Sequence, residues 1–91
     1  MTEVIMDSIT RIIKNFILEN FLFGADEDAL GHDDSFLEKG IIDSTGVLEL
    51  VSFIEEEFSI SVGDEELIPE NLDSVNILAR FIKRKQESNP E

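Results

Sequence analysis

The stretch Asp43–Phe58 reads DSTGVLELVSFIEEEF, and it decides the fold of this chain. Its apolar residues recur at steps of three and four residues, which places them on one face of an α-helix. These apolar residues are Val47, Leu50, Val51, Ile54 and Phe58. Asp43 and Ser44 are both favoured N-cap types, and they stand just ahead of that face. We therefore predict an amphipathic helix over Ser44–Phe58.

Two further helices are predicted on either side of this one. From Thr2 to about Asn20 the apolar residues again recur at helical spacing. They are Ile5, Ile9, Ile12, Ile13, Phe16 and Ile17. The last helix is predicted to begin near Asp73 or Ser74, with an inner face formed by Val75, Leu78, Phe81 and Ile82. One helical turn is predicted over 64–68, ahead of Pro69, while residues 59–62 are too few to make a sheet.

The connection between the first two helices, residues 21–43, is long for so small a domain, and long loops are often functional. Within it we predict a short helical turn over Ser35–Lys39, capped by Asp34 or Ser35 and ended by Gly40. The whole pattern predicts an all-α fold, a small four-helix bundle of three long helices and one short helix with a long first loop. We expect a single domain over 1–91, with its core at about 2–85 and a flexible tail over 86–91.

The chain is strongly acidic, since 21 Asp and Glu stand against 7 Lys and Arg in 91 residues, a formal net charge of −14. This charge disfavours nucleic acid and anionic membranes as partners and favours basic proteins, although acidity can also serve solubility alone. Mutual repulsion favours a monomer. No targeting segment or membrane span is recognised, so a cytoplasmic protein is expected. The absence of Cys excludes disulfides, thiolate metal sites and a Cys nucleophile.

Ser44 is the strongest candidate for a site residue. It follows Gly40, which lets the chain turn, and it stands at the start of the predicted amphipathic helix. A helix N-terminus exposes unpaired N–H groups and a partial positive charge, so it tolerates a phosphate attached to the Ser44 hydroxyl. The alternative is that Asp43 and Ser44 do no more than cap the helix.

The sequence around Ser44 resembles the acyl carrier protein family. The hallmark of the family is Asp-Ser followed by an acidic amphipathic helix, and Asp43-Ser44 with the segment Val47–Phe58 matches it. Upstream, Phe36–Ile42 resembles the family's approach to the modified serine, and downstream Leu72–Val75 resembles the start of its last helix. The resemblance covers nearly the whole chain.

This resemblance implies a carrier and not an enzyme. A phosphopantetheinyl transferase would move 4′-phosphopantetheine from coenzyme A onto the Ser44 oxygen, giving a phosphoprotein, and Asp43 would help that enzyme to grip its substrate. The thiol of the arm would then hold an acyl or aminoacyl group as a thioester. An acyl- or aminoacyl-activating ligase would load it, and downstream transferases would use it. The chain itself would contribute no catalytic residue and no metal ligand.

The outer side of the predicted second helix is the candidate docking face for partners that carry basic patches. Its members are Thr45, Leu48, Glu49, Ser52, Glu55 and Glu56. The alternative is an ordinary solvated face with one stray Leu. The family resemblance also implies that an acyl chain can enter between the helices, and a pocket among Phe16, Leu50 and Ile54 is one place for it.

Other candidate residues carry weaker signals. His32 is the only histidine, and no third catalytic partner accompanies it, so a hydrolase built on Ser44 and His32 is disfavoured. Five acids of the first loop could hold Ca²⁺ loosely, but they lack the spacing of an EF-hand, and a solvated loop is the preferred interpretation. These acids are Asp26, Glu27, Asp28, Asp33 and Asp34.

The sequence departs from the fatty-acid carriers at the residue after the serine, which is usually Leu there and is Thr45 here, followed by Gly46. The Asp-Ser-x-Gly pattern resembles stand-alone carriers that serve a dedicated ligase, including the D-alanine carriers. The residues Leu67–Glu70 also suggest a different partner surface. We therefore predict a specialised pathway of lipid or secondary metabolite biosynthesis. The rival function is an acidic helical interaction domain that never carries the arm.

Overall fold

The fold is that of a computed structural model, which describes residues 2–24 and 29–88. In chain order its elements are α1 (Thr2–Asn20), α2 (Ser44–Phe58), a 3₁₀ turn (Asp64–Glu66), α3 (Pro69–Leu72) and α4 (Val75–Ser88). No β-strand occurs in the described residues. The prediction of an all-α bundle with three long helices and one short helix is therefore confirmed.

Helix α4 is the centre of the bundle, since it packs against α1, α2 and α3. The core is apolar, and Ile13 of α1, Ile54 of α2 and Leu78 of α4 are completely buried in it. The predicted inner faces of α2 and α4 do turn toward this core. The side chain of Ile5, the first member of the predicted α1 stripe, lies outside the described part of the chain.

An aromatic cluster joins α1 to α2 at the side of the bundle. The Phe16 ring stacks on the Phe53 ring with 3.9 Å between the centroids, and the Phe21 ring meets Phe16 edge-on at 5.9 Å. Such pairs stabilise a contact by about 0.5–1.5 kcal/mol beyond the area they bury. The cluster thus fixes α1 against the outer edge of α2, next to the start of that helix.

The region between α2 and α4 differs from its prediction in one respect. The predicted turn over 64–68 is a 3₁₀ turn over Asp64–Glu66, and the short helix of the bundle begins at Pro69 instead of ending before it. The reason is that Pro suits the first helical position, where its missing N–H is not needed. Helix α4 starts where predicted, with the Ser74 hydroxyl accepting from Ile77 N at 3.1 Å.

At its other end α4 continues through Ser88, so the helix passes the predicted core boundary near residue 85. The remainder of the predicted tail, residues 89–91, lies outside the described part of the chain.

Glu66 ties the 3₁₀ turn to α4. Its carboxylate accepts a hydrogen bond from Gly63 N at 2.9 Å and pairs with Lys85 Nζ at 2.9 Å. The Gly63 N–H and then the Lys85 ammonium hold the pKa of Glu66 below its ordinary value. Because the folded-state pKa is depressed, the stabilisation is present above pH 4.5 and is lost as the pH falls through the lower folded value.

We expect Glu66→Gln to lower the free energy of unfolding at neutral pH by no more than about 1 kcal/mol, since the pair is partly exposed. The difference between wild type and variant should shrink as the pH falls below 4.5, the ordinary pKa of this carboxyl. Urea unfolding across a pH series measures it. Glu70→Gln, at an exposed position, is the control and should show no such trend. If the difference in unfolding free energy between wild type and Glu66→Gln stays constant down to the lowest pH of the series, the role given to the Glu66 carboxylate is contradicted.

Candidate functional site

A tight turn over residues 35–40 precedes the start of α2. The Ser35 hydroxyl accepts from Glu38 N at 3.1 Å at the beginning of the turn, and Gly40 N donates to Leu37 O at 3.1 Å at its end. Gly40 has φ +67°, in the left-handed region that closes helical turns and favours glycine. Of the two predicted caps, Asp34 and Ser35, it is Ser35 that accepts from the turn, and the predicted end at Gly40 is confirmed.

Asp73, just ahead of α4, anchors this turn to the bundle. Its carboxylate accepts from the Ser35 hydroxyl at 2.5 Å and from Leu37 N at 3.0 Å, and its carbonyl accepts from Phe36 N at 2.9 Å. Three bonds to one residue hold the turn at a fixed place on the bundle. The three residues that lead from this turn to Ser44 therefore start from a fixed point.

Asp43 is the N-cap of α2, and Ser44 is the first residue of the helix. The Asp43 backbone is extended, and its carboxylate accepts from Gly46 N at 2.8 Å. Asp43 therefore satisfies one of the free N–H groups at the helix start, which leaves the Ser44 hydroxyl out of the cap. Asp43 is therefore the cap, and a role of Asp43 and Ser44 beyond the helix start stays a prediction.

Gly46 is buried beneath the aromatic cluster. A Cβ at this position would lie 2.8 Å from Cε1 of the Phe21 ring and 3.1 Å from Cγ2 of Ile42. No side chain fits without moving that ring, so the glycine permits close packing of the first loop against the start of α2. This contact explains why a residue that weakens a helix stands in its first turn.

The Ser44 side chain is exposed at the positive end of α2. Within residues 2–24 and 29–88, no group forms a hydrogen bond with its hydroxyl oxygen. The unpaired N–H groups and dipole of the helix start favour a phosphate at this place.

An apolar cleft of about 350 Å³ opens directly beside Ser44, between α2 and α3. Three of its large apolar residues are well exposed, with Leu48 at 59%, Leu37 at 50% and Ile68 at 41%. Of the pocket residues expected from the sequence, Leu50 lines this cleft. Phe16 and Ile54 do not, because Phe16 stacks on Phe53 and Ile54 is sealed in the core.

The predicted docking residues share the outer side of α2. Those that are exposed are Thr45, Leu48, Glu49, Ser52 and Glu56. Glu55 is half-buried instead, and its carboxylate accepts from Val62 N at 2.9 Å, so part of its role is to hold the following loop. Docking by this face stays a prediction.

The remaining candidates lie in the first loop. His32 is exposed, and its carbonyl accepts from Asn76 N at 2.9 Å. Asp34 accepts from Gly31 N and pairs with Lys39, and these two contacts hold the pKa of Asp34 below its usual value. The acids 26–28 lie outside the described residues. In the described ranges no three His, Cys, Asp or Glu side chains gather as a metal site would require.

Some site residues carried no recognisable sequence signal. Asp73 was expected as a helix start and not as the anchor of a turn 36 to 38 residues earlier in the chain. Leu37 and Ile68 were not expected to form the rim of a cleft at Ser44. Leu37 stands three residues before Gly40 in a predicted turn. This position is the one signal that could have indicated an outward direction for the Leu37 side chain.

Comparison with known proteins finds relatives among the curated proteins. No protein-family model matches the sequence. A curated protein from Serratia sp. (strain ATCC 39006), named "Probable acyl carrier protein PigG", is 31% identical to this chain over 70 residues. The match covers 77% of this chain and 79% of that protein, so it spans most of both chains and not a single motif. In addition, none of the described helices is long and apolar enough to cross a membrane.

Proposed function

This chain belongs to the acyl carrier protein family, and we propose on that premise that it carries acyl or aminoacyl groups as thioesters on a 4′-phosphopantetheine arm attached to Ser44. The observation that carries the proposal is the exposed Ser44 hydroxyl at the first position of α2, with Asp43 taking the cap. A side chain so placed is available for modification without loss of the helix start.

The residues around Ser44 suit an attached phosphopantetheine group. An attached phosphate would lie at the helix N-terminus, where free N–H groups and the dipole stabilise negative charge. Formation of the link requires that the Ser44 oxygen lose its proton and attack a phosphorus of coenzyme A while the diphosphate bond breaks and adenosine bisphosphate leaves. The phosphopantetheinyl transferase supplies the base and the metal ion for this step. Asp43 would help it to grip the carrier.

The bound arm supplies one chemistry, a thiol that forms thioesters. The cleft beside Ser44 would cover part of the cargo, because its lining is apolar and it lies next to the attachment point. At about 350 Å³ it is at the small end of ligand pockets. It therefore suits a short apolar group or one end of a longer one.

The partners proposed for the carrier are the transferase, an acyl- or aminoacyl-activating ligase and downstream transferases. Helix α2 carries no Lys or Arg, so its outer face attracts basic patches on such enzymes. The Thr45-Gly46 pair after the serine, where the fatty-acid carriers usually have Leu, supports a specialised pathway. The relative's name, a probable acyl carrier protein, agrees with a carrier role.

A second candidate is an acidic interaction domain that is never modified, which the exposed acids of α2 would also serve. A thiol titration separates the two functions, because the chain contains no Cys. After incubation with coenzyme A, Mg²⁺ and a broad-specificity phosphopantetheinyl transferase, followed by gel filtration, the carrier should show one reactive thiol per chain. A sample without the transferase should show none. A thiol count of zero in both samples would favour the interaction domain.

A further inference from the structure

Phe23, in the loop after α1, is the most exposed large apolar residue among those described, with 90% of its surface accessible. Phe is one of the residue types most often buried in folded proteins. The other exposed apolar residues, Leu37, Leu48 and Ile68, form the cleft at Ser44. Phe23 is not among the residues that line that cleft, so its exposure is not explained by the cleft.

The backbone of Phe23 is also unfavourable. Its φ is +56°, a left-handed conformation in which a bulky residue is an outlier, and Gly24 follows with φ +81°. The turn is closed by Gly24 N, which donates to Leu18 O at 2.8 Å. Asn or Gly would adopt this conformation at lower cost. Both the exposure of the Phe23 side chain and its left-handed backbone are unfavourable for stability. Phe23 therefore points to a role other than stabilising the fold.

The loop that carries Phe23 lies at the Ser44 end of the molecule. The Phe21 ring packs against Gly46, two residues after Ser44 in α2. Phe23 is two residues from Phe21, and two peptide units span at most about 7 Å. A standard protein interface covers about 800 Å² on each partner, equal to a disc of about 16 Å radius. An interface of this size centred at Ser44 therefore extends toward this loop.

The sequence on either side of Phe23 is acidic. Between Asn15 and Ala79 the sequence contains a single Lys or Arg, which is Lys39. Glu19 at the end of α1 and Glu49 on the outer side of α2 are both exposed. A partner that accepts the Phe23 ring should therefore offer an apolar pocket with Lys or Arg at its rim.

We propose that Phe23 anchors the phosphopantetheinyl transferase. This inference rests on the proposed function of Ser44. The transferase must bring its catalytic groups to the Ser44 hydroxyl itself, so it covers the neighbouring surface. Enzymes that act on the thiol can stand away from the protein by the length of the arm. Of the proposed partners, the transferase is thus the one that must contact the surface around Ser44.

The test compares wild type with Phe23→Asn and Phe23→Leu as substrates of a broad-specificity transferase, with coenzyme A and Mg²⁺. We expect Phe23→Asn to raise KM for the carrier about tenfold or more with kcat little changed, because a ring that enters a pocket is lost. Phe23→Leu keeps the apolar bulk and should stay within about threefold of wild type. The melting temperature of Phe23→Asn should equal or exceed that of wild type, since Asn tolerates the left-handed backbone.

The outcomes are distinguishable. Equal KM values for wild type and Phe23→Asn, in a carrier that is modified, would overturn this inference and leave the proposed function intact. A raised KM accompanied by a lowered melting temperature in both variants would assign Phe23 a structural role and overturn it as well. Failure of the wild type to gain the arm would overturn the proposed function and this inference together.

Discussion

Ser44→Ala is expected to fold as the wild type does and never to acquire a thiol. The fold should survive because the Ser44 side chain is exposed, its hydroxyl has no described hydrogen-bond partner, and the cap of α2 is Asp43. Ala is also the most favourable helix residue, so the first position of α2 is not weakened. Thermal unfolding measures the first part, and thiol titration after treatment with the transferase measures the second.

The matched control is Ser8→Ala, which removes an exposed hydroxyl from a helix position in α1, outside the predicted docking face. It should keep both the stability and the thiol of the wild type. A thiol in Ser44→Ala would mean that the arm is attached elsewhere. A large loss of stability in Ser44→Ala would mean that Ser44 belongs to the cap, against the observed bond from Gly46 N to Asp43.

Leu50→Ala should lower the free energy of unfolding by about 2–5 kcal/mol, whereas Leu48→Ala should change it by less than about 0.5 kcal/mol. The two residues are of one type and lie two positions apart in α2. Leu50 is completely buried, while Leu48 is 59% exposed on the rim of the cleft. Truncation of Leu50 leaves a cavity that packed neighbours fill only in part, and truncation of Leu48 removes atoms that are already in water. Urea unfolding of both variants measures the contrast.

The same two variants also separate an effect on folding from an effect on docking. If α2 is the docking face, Leu48→Ala should retain its stability and bind a partner enzyme less tightly. Comparable stability losses in the two variants would show that Leu48 is packed in the protein and would contradict the exposed rim described for the cleft.

The bounds of α2 and the start of α4 could be predicted from the sequence because both depend on local chemistry. The apolar residues of Ser44–Phe58 have a clear helical period, and Asp43 and Ser74 are cap residues whose bonds reach only three residues along the chain. The hydrogen bonds within the turn that ends at Gly40 likewise join residues only a few positions apart. The position of Ser44 at the start of a helix followed from these signals alone.

Features that depend on distant contacts could not be predicted in this way. The bond from Ser35 to Asp73 joins residues 38 positions apart, and the packing of Phe21 on Gly46 joins two different elements. The cleft likewise is lined jointly by residues of the first loop, α2 and α3, and Phe16, expected to line a pocket, instead stacks on Phe53. Pattern and spacing record which residues belong to one helix but not which helices meet.

The proposed carrier function depends on attachment of the phosphopantetheine arm to Ser44. The most direct test is the intact mass of the wild-type chain and of Ser44→Ala after incubation with coenzyme A, Mg²⁺ and a broad-specificity phosphopantetheinyl transferase. The account predicts a gain of one phosphopantetheine in the wild type and no change in Ser44→Ala. An unchanged wild-type mass with several transferases that modify another carrier in parallel, or an equal gain in both proteins, would contradict it.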